Sequence, residues 1–274
     1  MAIPTIPRHI AVALILLASF SSEATADDPV MSLKAAVASE ERSEANRARD
    51  PYRHPFETLE FLGVKDGMAV VEIWPGGNAW WTEILAPFLK DRGRYYAAES
   101  GAETEGAAAA RTRLRAKLAS NPDRYGRVTI VRFDPDGQDI VPPGTVDMIL
   151  TFRNLHNWMA AGKAETAIAA FYRALKPGGT LGIEDHRGRT DLPQDPQAKD
   201  GYVREDYAIA LIERAGFTLV GRSEINANPK DTKDYTAGVW TLPPTYRLKD
   251  QDRDRYTAIG ESDRFTLKFV KPNP

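Results

Sequence analysis

Three short stretches gather side chains that can do chemistry. The first, "TFRNLHNW" at 151–158, brings Arg153, Asn154, His156, Asn157 and Trp158 close together. Histidine titrates near neutral pH, so His156 can act as a general base. Arg153 offers a planar fork of donors that suits an anionic substrate group. Asn154 and Asn157 could orient a bound molecule, or could serve as caps and turn residues of the next helix. The second stretch, "EDHRGR" at 184–189, brings Glu184, Asp185, His186, Arg187 and Arg189. A third, "YRHP", places Tyr52, Arg53 and His54 far ahead of both. His54, His156 and His186, with Asp185 or Glu72, could alternatively form a metal centre. No tight i, i+4 histidine pair supports that alternative.

A different chemistry is written in "VVEIWPGGNAWWTEIL", residues 70–85. An apolar run meets Glu72, then Trp74, Pro75, Gly76, Gly77 and Asn78, and then a helical pattern. Glycines at such a turn let the backbone approach a ligand closely. Asn78 tolerates positive φ better than most non-glycine residues. Trp74 either packs into the core, narrows the pocket or stacks on a ligand. Glu99 and Asp134 close the next two apolar runs, "RYYAAES" and "RVTIVRF".

These residues need a scaffold, and the pattern supplies one. "MAVVEIW", "RYYAAES", "RVTIVRF", "VDMILTF" and "TLGIEDH" read as buried strands, apolar on both faces as parallel strands are. Helical segments lie among them at "WWTEILAPFLKDRG", "AAAARTRLRAKLAS" and "AETAIAAFYRALKPGG". "REDYAIALIERAGF" then gives a helix, and "TLVGRSEI" and "RFTLKFV" give two last strands. Such alternation predicts an α/β, Rossmann-like, seven-stranded mostly parallel sheet with helices on both faces. The last two strands lack a helix between them, which predicts antiparallel pairing at one edge. Ligands in such sheets bind outside the carboxyl ends of the strands. Glu72, Glu99, Asp134, His156 and His186 all fall at or near those ends. Before the sheet, Ser32 to Arg49 reads as one exposed helix, broken by "DPYRHP". Between the last strands, Asn226 to Asp263 is polar and long, which fits a lid.

At 274 residues and a net charge of −2, the chain gives no sign of nucleic acid or an anionic membrane as partner. It has no cysteine, which excludes disulfides, thiolate metal sites and a thiol nucleophile. The N-terminus carries Arg8 and His9, the apolar run "IAVALILLASF" and the small-x-small "ATA". That is the layout of a secretory signal, residues 1–26, with cleavage after Ala26; an uncleaved anchor is the alternative. The expected product is exported, periplasmic in a Gram-negative source, with no membrane contact after cleavage. The expected layout continues with a helical segment at 27–62 covering the site. The main domain follows at 63–274, with its insertion at about 226–263.

The glycine loop with Glu72, the acids Glu99 and Asp134, and "ALKPGGTLGIEDH" together resemble the class I S-adenosylmethionine-dependent methyltransferases over residues 63–274. "WPGG", "TFRNLHNW", "DHR" and "SEINANPKDTKD" also resemble a group of exported, poorly characterised predicted methyltransferases. The resemblance implies S-adenosylmethionine as cofactor and a small-molecule methyl acceptor. It implies a cofactor cradle of Glu72, Trp74, Gly76, Gly77, Asn78, Glu99 and Asp134, with Glu99 on the ribose. It places catalysis at Arg153, Asn154, His156, Asp185 and His186. In register with the family, Trp74 and Asn78 stand where glycines are usual. S-adenosylmethionine is made in the cytoplasm, so export also leaves open a periplasmic ligand- or metal-binding protein on the same fold.

Overall fold

A computed structural model describes residues 1–2 and 30–274, and Met31–Pro274 form one compact unit. The signal-sequence reading lies outside the described residues. The unit opens with four short helices, α1 (Leu33–Ala38), α2 (Glu44–Arg47), α3 (Asp50–Arg53) and α4 (Pro55–Leu62). The body follows as β1 (Ala69–Ile73), α5 (Thr82–Leu89), β2 (Arg94–Ser100), α6 (Glu105–Ser120), α7 (Pro122–Tyr125), β3 (Thr129–Phe133) and β4 (Val146–Phe152). It continues with α8 (Leu155–Ala160), α9 (Ala164–Ala174), β5 (Leu175–His186), α10 (Glu205–Arg214), β6 (Thr218–Ser223), α11 (Arg253–Ile259) and β7 (Arg264–Val270).

The sheet has seven strands in the order β3-β2-β1-β4-β5-β7-β6. The first five pair in parallel, and β7 runs antiparallel to both β5 and β6. The antiparallel pairing expected at one edge is therefore present, with β6 outermost. The alternation of side chains along each strand feeds two cores. Val71, Ile73, Ala98, Ile149, Leu181 and Ile183 face one layer with Phe171, Leu211 and Ile212 of the helices α9 and α10. Val70, Ala97, Met148 and Leu150 face the other, against Leu59, Leu62, Ile84 and Leu114 of α4, α5 and α6. Helices thus cover both faces, as a doubly wound sheet requires. Every residue of α5 is buried, Glu83 included, because α1 packs over its outer side.

The N-terminal stretch departs from the single exposed helix expected of it. Ser32 caps α1 through its side-chain oxygen, which accepts from Ala35 N, and α1 ends at Ser39 in an extended conformation. Arg42 is then drawn inside, donating to Val37 O and both oxygens of Asp50 at 2.6–2.7 Å. A buried charge needs such partners. Satisfying Arg42 bends the chain, and α2 and α3 restart beyond it. Residues 31–62 belong to the same unit as the sheet, since Ala36, Leu59 and Leu62 sit fully inside its core.

Candidate active site

The loop after β1 keeps left-handed backbone at three positions. Trp74 has φ 50°, Gly76 φ 70° and Ala79 φ 50°. Asn78, whose type tolerates positive φ, does not need to adopt it here, because Ala79 takes that conformation instead. Asn78 is exposed, and its carbonyl accepts from Asn46 Nδ2 at 3.0 Å. Trp74 N–H donates to Ala98 O at 2.8 Å, and its indole Nε1 donates to Phe133 O at 3.0 Å. The ring packs edge-on to Trp158, 5.5 Å between centroids. Trp74 therefore packs against the core while still bordering the space above the loop. A Cβ at Gly76 would meet open space, whereas one at Gly77 would lie 2.5 Å from Arg113 Nε.

Two cavities adjoin this loop. One, about 410 Å³, is lined by Trp74, Pro75, Gly76, Glu99, Ser100, Ala102, Ala107, Leu114 and Asn154 among others. Glu99 sits buried beside it near the end of β2, with both carboxylate oxygens facing Arg115: Oε2 at 3.2 Å from Nε and Oε1 closer to Nη2. A carboxylate has about four acceptor positions, so that pair leaves room for two further hydrogen bonds.

The other two acids expected here lie elsewhere. Asp134 borders neither cavity; its carboxylate accepts from Arg132 Nε at 2.8 Å, two residues back along the exposed edge strand. Glu72 points away from the loop. Strand alternation puts it on the Val70 side, under α5, where it accepts from Thr82 Oγ1 at 3.1 Å and from the hydroxyl of Tyr95. Burial pushes the Glu72 carboxyl up to about 7, against opposing hydrogen bonds from Tyr95 and Thr82. Between about 4.5 and 7 the folded state therefore binds more protons than the unfolded one, so Glu72 makes stability fall as pH rises through that window. Each unit of that gap is worth about 1.4 kcal/mol. Glu72→Gln is expected to flatten this slope and to be the more stable protein at pH above 7. Denaturant melts across pH test it, and parallel curves for both proteins would refute the assignment.

The second cavity, about 380 Å³, opens beyond Asn154 and Trp74, which line both. Asn154 Nδ2 donates to Ile73 O and to Thr151 Oγ1, both at 3.1 Å, and so ties the ends of β1 and β4 together. His156, in the first turn of α8, lines this cavity. The Asp185 carboxylate accepts from His156 Nδ1 at 2.8 Å and from its backbone N–H at 3.1 Å, and also from His186 N–H at 2.7 Å. With Nδ1 donating, Nε2 of His156 is left as the basic nitrogen. His186, 5.2 Å away between ring centroids, shares its Nδ1 with Ser262 Oγ at 2.5 Å. Burial, then the charges of His156 and Arg153, hold His186 well below its usual range, so it stays neutral.

The rim and wall of this cavity are cationic. Arg49, Arg53, Arg113 and Arg153 line it against one acid, Glu261. Burial pushes Glu261 up, yet Arg53, Arg264, Arg153 and Arg49 together outweigh that and hold it at about 2. Arg49 Nε reaches one carboxylate oxygen at 2.7 Å; Arg53 Nε and Arg264 Nη1 reach the other at 3.3 Å. Arg264 also donates to Glu184 Oε1 at 3.2 Å.

Of the residues expected at the site, Trp74, Gly76, Asn154 and Glu99 border the first cavity. Trp74, Gly76, Gly77, Asn78, Arg153, Asn154, His156 and His186 border the second, with Asp185 behind His156. Arg53 reaches it too, but His54 does not: its Nδ1 lies 3.3 Å from Asn226 Oδ1. A ligand atom from each of His156, Asp185 and His186 falls within 4.8 Å of the others, while His54 and Glu72 stand outside that group. Arg187 and Arg189 are taken up by Glu205, Glu224 and Asp191. The insertion supplies Trp240, Pro243 and Ser262 as one wall. It is pinned at its base by Asn226 Nδ2, within 3.1 Å of Thr58 Oγ1, Glu184 Oε2 and Thr266 Oγ1. Arg49, Arg113 and Glu261 are site residues that the sequence alone did not single out. Arg49 and Glu261 meet from opposite ends of the chain, which no local pattern signals.

No family model matches the chain, and no curated protein matches it. Solved structures do. A S-adenosylmethionine-dependent methyltransferase from Aquifex aeolicus superposes with TM-score 0.55 at 16% identity, over 82% of this chain and 93% of that one. The [4+2]-cyclase SpnF gives 0.55 at 16%, over 84% and 82%. A putative sarcosine dimethylglycine methyltransferase from Galdieria sulphuraria gives 0.53 at 10%, over 83% and 85%. At these identities the likeness is one of fold, and that fold is the Rossmann-like one of methyltransferases.

Proposed function

We propose that this chain is a class I S-adenosylmethionine-dependent methyltransferase whose acceptor is a small molecule. One observation carries the reading: two adjoining cavities at the carboxyl ends of β1, β2 and β4, one bounded by Glu99 and Gly76, the other by the His156–Asp185 pair. The residues of the first fit the cofactor: a carboxylate for a ribose diol, and a glycine whose missing Cβ leaves open space. Bound there, S-adenosylmethionine would supply an electrophilic methyl group. Trp74, Gly76 and Asn154, common to both cavities, would hold donor and acceptor in line, and alignment supplies most of what such a transfer needs. His156 Nε2 would take the acceptor's proton, with Asp185 fixing the tautomer. The [4+2]-cyclase among the similar structures is a reminder that the fold alone does not fix the reaction.

Calorimetry with S-adenosylmethionine and S-adenosylhomocysteine tests the reading. Glu99→Ala is expected to weaken either ligand about ten-fold or more, through lost charge-assisted hydrogen bonds worth roughly 1.5–3 kcal/mol. No heat and no thermal shift at millimolar ligand would defeat the methyltransferase reading. Unchanged affinity in Glu99→Ala would remove the ribose role from Glu99.

A second reading has an observation of its own. His156 and His186 each have Nδ1 engaged by a neighbour, Asp185 and Ser262, which is how metal-ligating histidines are held so that Nε2 faces the ion. A metal-binding protein on this fold would retain a divalent ion after purification, and lose it in His186→Ala; purified protein free of metal would reject it. The cationic surroundings weigh against this reading. We also propose, from the N-terminal pattern, that the mature chain is exported and begins at Asp27, which intact-mass measurement of the purified protein checks.

A further inference from the structure

The second cavity contains more positive charge than its own carboxylates answer. Arg53 is almost fully buried and reaches Glu261 only through Nε at 3.3 Å, and its Nη2 has no hydrogen-bond partner among the described residues. Arg49 repeats the pattern, with Nε on Glu261 and Nη2 unpartnered. Arg153 goes further. Its backbone is held at φ 60°, a left-handed conformation that a non-glycine residue keeps only where its surroundings impose it. Its Nε is buried without a partner, and the two acids whose charge acts on it, Glu261 and Glu184, are already bonded to Arg49, Arg53 and Arg264. A buried guanidinium with free donors costs stability unless something outside the chain completes it. Such forks are matched by oxyanions, which they bind bidentately.

We infer that the acceptor cavity is built for an organic oxyanion, a carboxylate or phosphate group held between Arg53 and Arg153, three residues along the chain from His156. Arg49 and Glu261 position Arg53. The anion would orient the rest of the molecule toward Nε2 of His156. That the anion belongs to a methyl acceptor rests on the reading above; that the cavity binds an anion does not.

The test uses the full chain, titrated by calorimetry at constant ionic strength with inorganic phosphate in one arm and 4-hydroxybenzoate in the other. Binding of either is expected, phosphate marking a phosphorylated acceptor and the benzoate an organic acid. Arg153→Met should weaken that binding at least ten-fold, Arg153→Lys should weaken it less, and the exposed control Arg47→Met should leave it unchanged. Circular dichroism confirms the fold of each variant. If Arg153→Met does not fold, the Nε–H resonance of Arg153 in the unaltered protein takes its place; it must move on titration. Failure of both probes to bind, equal weakening in Arg47→Met, or binding in a folded Arg153→Met as tight as in the unaltered protein would overturn the inference. A parallel titration with S-adenosylmethionine separates the two ideas: anion binding without cofactor binding would leave the oxyanion site standing and remove methyl transfer.

Discussion

Glu261→Gln is expected to cost about 3–5 kcal/mol of stability at pH 7, the range seen when one member of a buried ion pair is removed. The carboxylate is 4% exposed and sits among Arg49, Arg53 and Arg264. Glutamine keeps the shape but removes the only negative charge that these three share at the cavity wall. The pH dependence gives a second signature. Because Glu261 is held at about 2 in the fold against an ordinary 4.5, the unfolded state binds more protons between those values. Its stabilising effect is therefore complete above about 4.5 and is lost as pH falls toward 2. Denaturant melts should show the difference between the two proteins large at pH 7 and shrinking below pH 4.5. The exposed Glu103→Gln serves as control and should match the unaltered protein. A loss under about 1 kcal/mol at pH 7 would mean that water screens the cluster as it does surface pairs. If the oxyanion site is as inferred, phosphate should lower the stability of neither protein, and should raise that of Glu261→Gln more, since Arg49 and Arg53 then lack a counter-charge while Arg264 keeps Glu184.

What the sequence made legible, and what it did not, follows the range of the interactions. β1, β4 and β5 are continuous apolar runs because both their faces are covered, and runs of that kind are visible in any one chain. His156 and Asp185 were legible for a related reason: each lies at the carboxyl end of a central strand, where an open sheet leaves a crevice. The acids were harder. Glu72, Glu99 and Asp134 all close strands, yet only Glu99 faces the cavity. A shift of one residue changes the face of a strand, and an Arg two positions before Asp134 captures it on the exposed edge. The N-terminal stretch misled most. Its charges suggested a solvated helix, but Arg42 is buried on Asp50, and Arg49 and Arg53 close on Glu261, more than 200 positions away. Composition reports such arginines as surface residues; only the tertiary fold turns them inward. The strained loop residues Trp74 and Arg153 are the other exception, since nothing in their types announces positive φ. Departures from local rule gather at sites, and both of these line the cavities.

Asp185→Asn is the substitution expected to act on turnover without moving the fold far. Asp185 is fully buried, and its carboxylate accepts three hydrogen bonds, from His156 Nδ1, His156 N–H and His186 N–H. Asparagine is the same size, and its one oxygen in the place of Oδ2 still accepts from the His156 N–H, while the bond from the His186 N–H to Oδ1 is lost. Its amide then faces His156 Nδ1, which must accept where it formerly donated. The proton moves to Nε2, and the nitrogen at the cavity becomes a donor instead of a base. Methyl transfer to the small-molecule fraction of a cell extract, followed with methyl-labelled S-adenosylmethionine, should fall by about 10²–10⁴-fold, the contribution of a well-placed general base. Binding of S-adenosylhomocysteine should hardly change, because Asp185 does not border the cavity beside Glu99. His156→Ala should lose as much and no more, and the double variant should add nothing, since the two act as one unit. Nitrogen shifts of the His156 ring would report the tautomer directly. Full activity in Asp185→Asn with the tautomer exchanged would show that the acceptor needs no base, and that this pair serves only to hold β5 against α8.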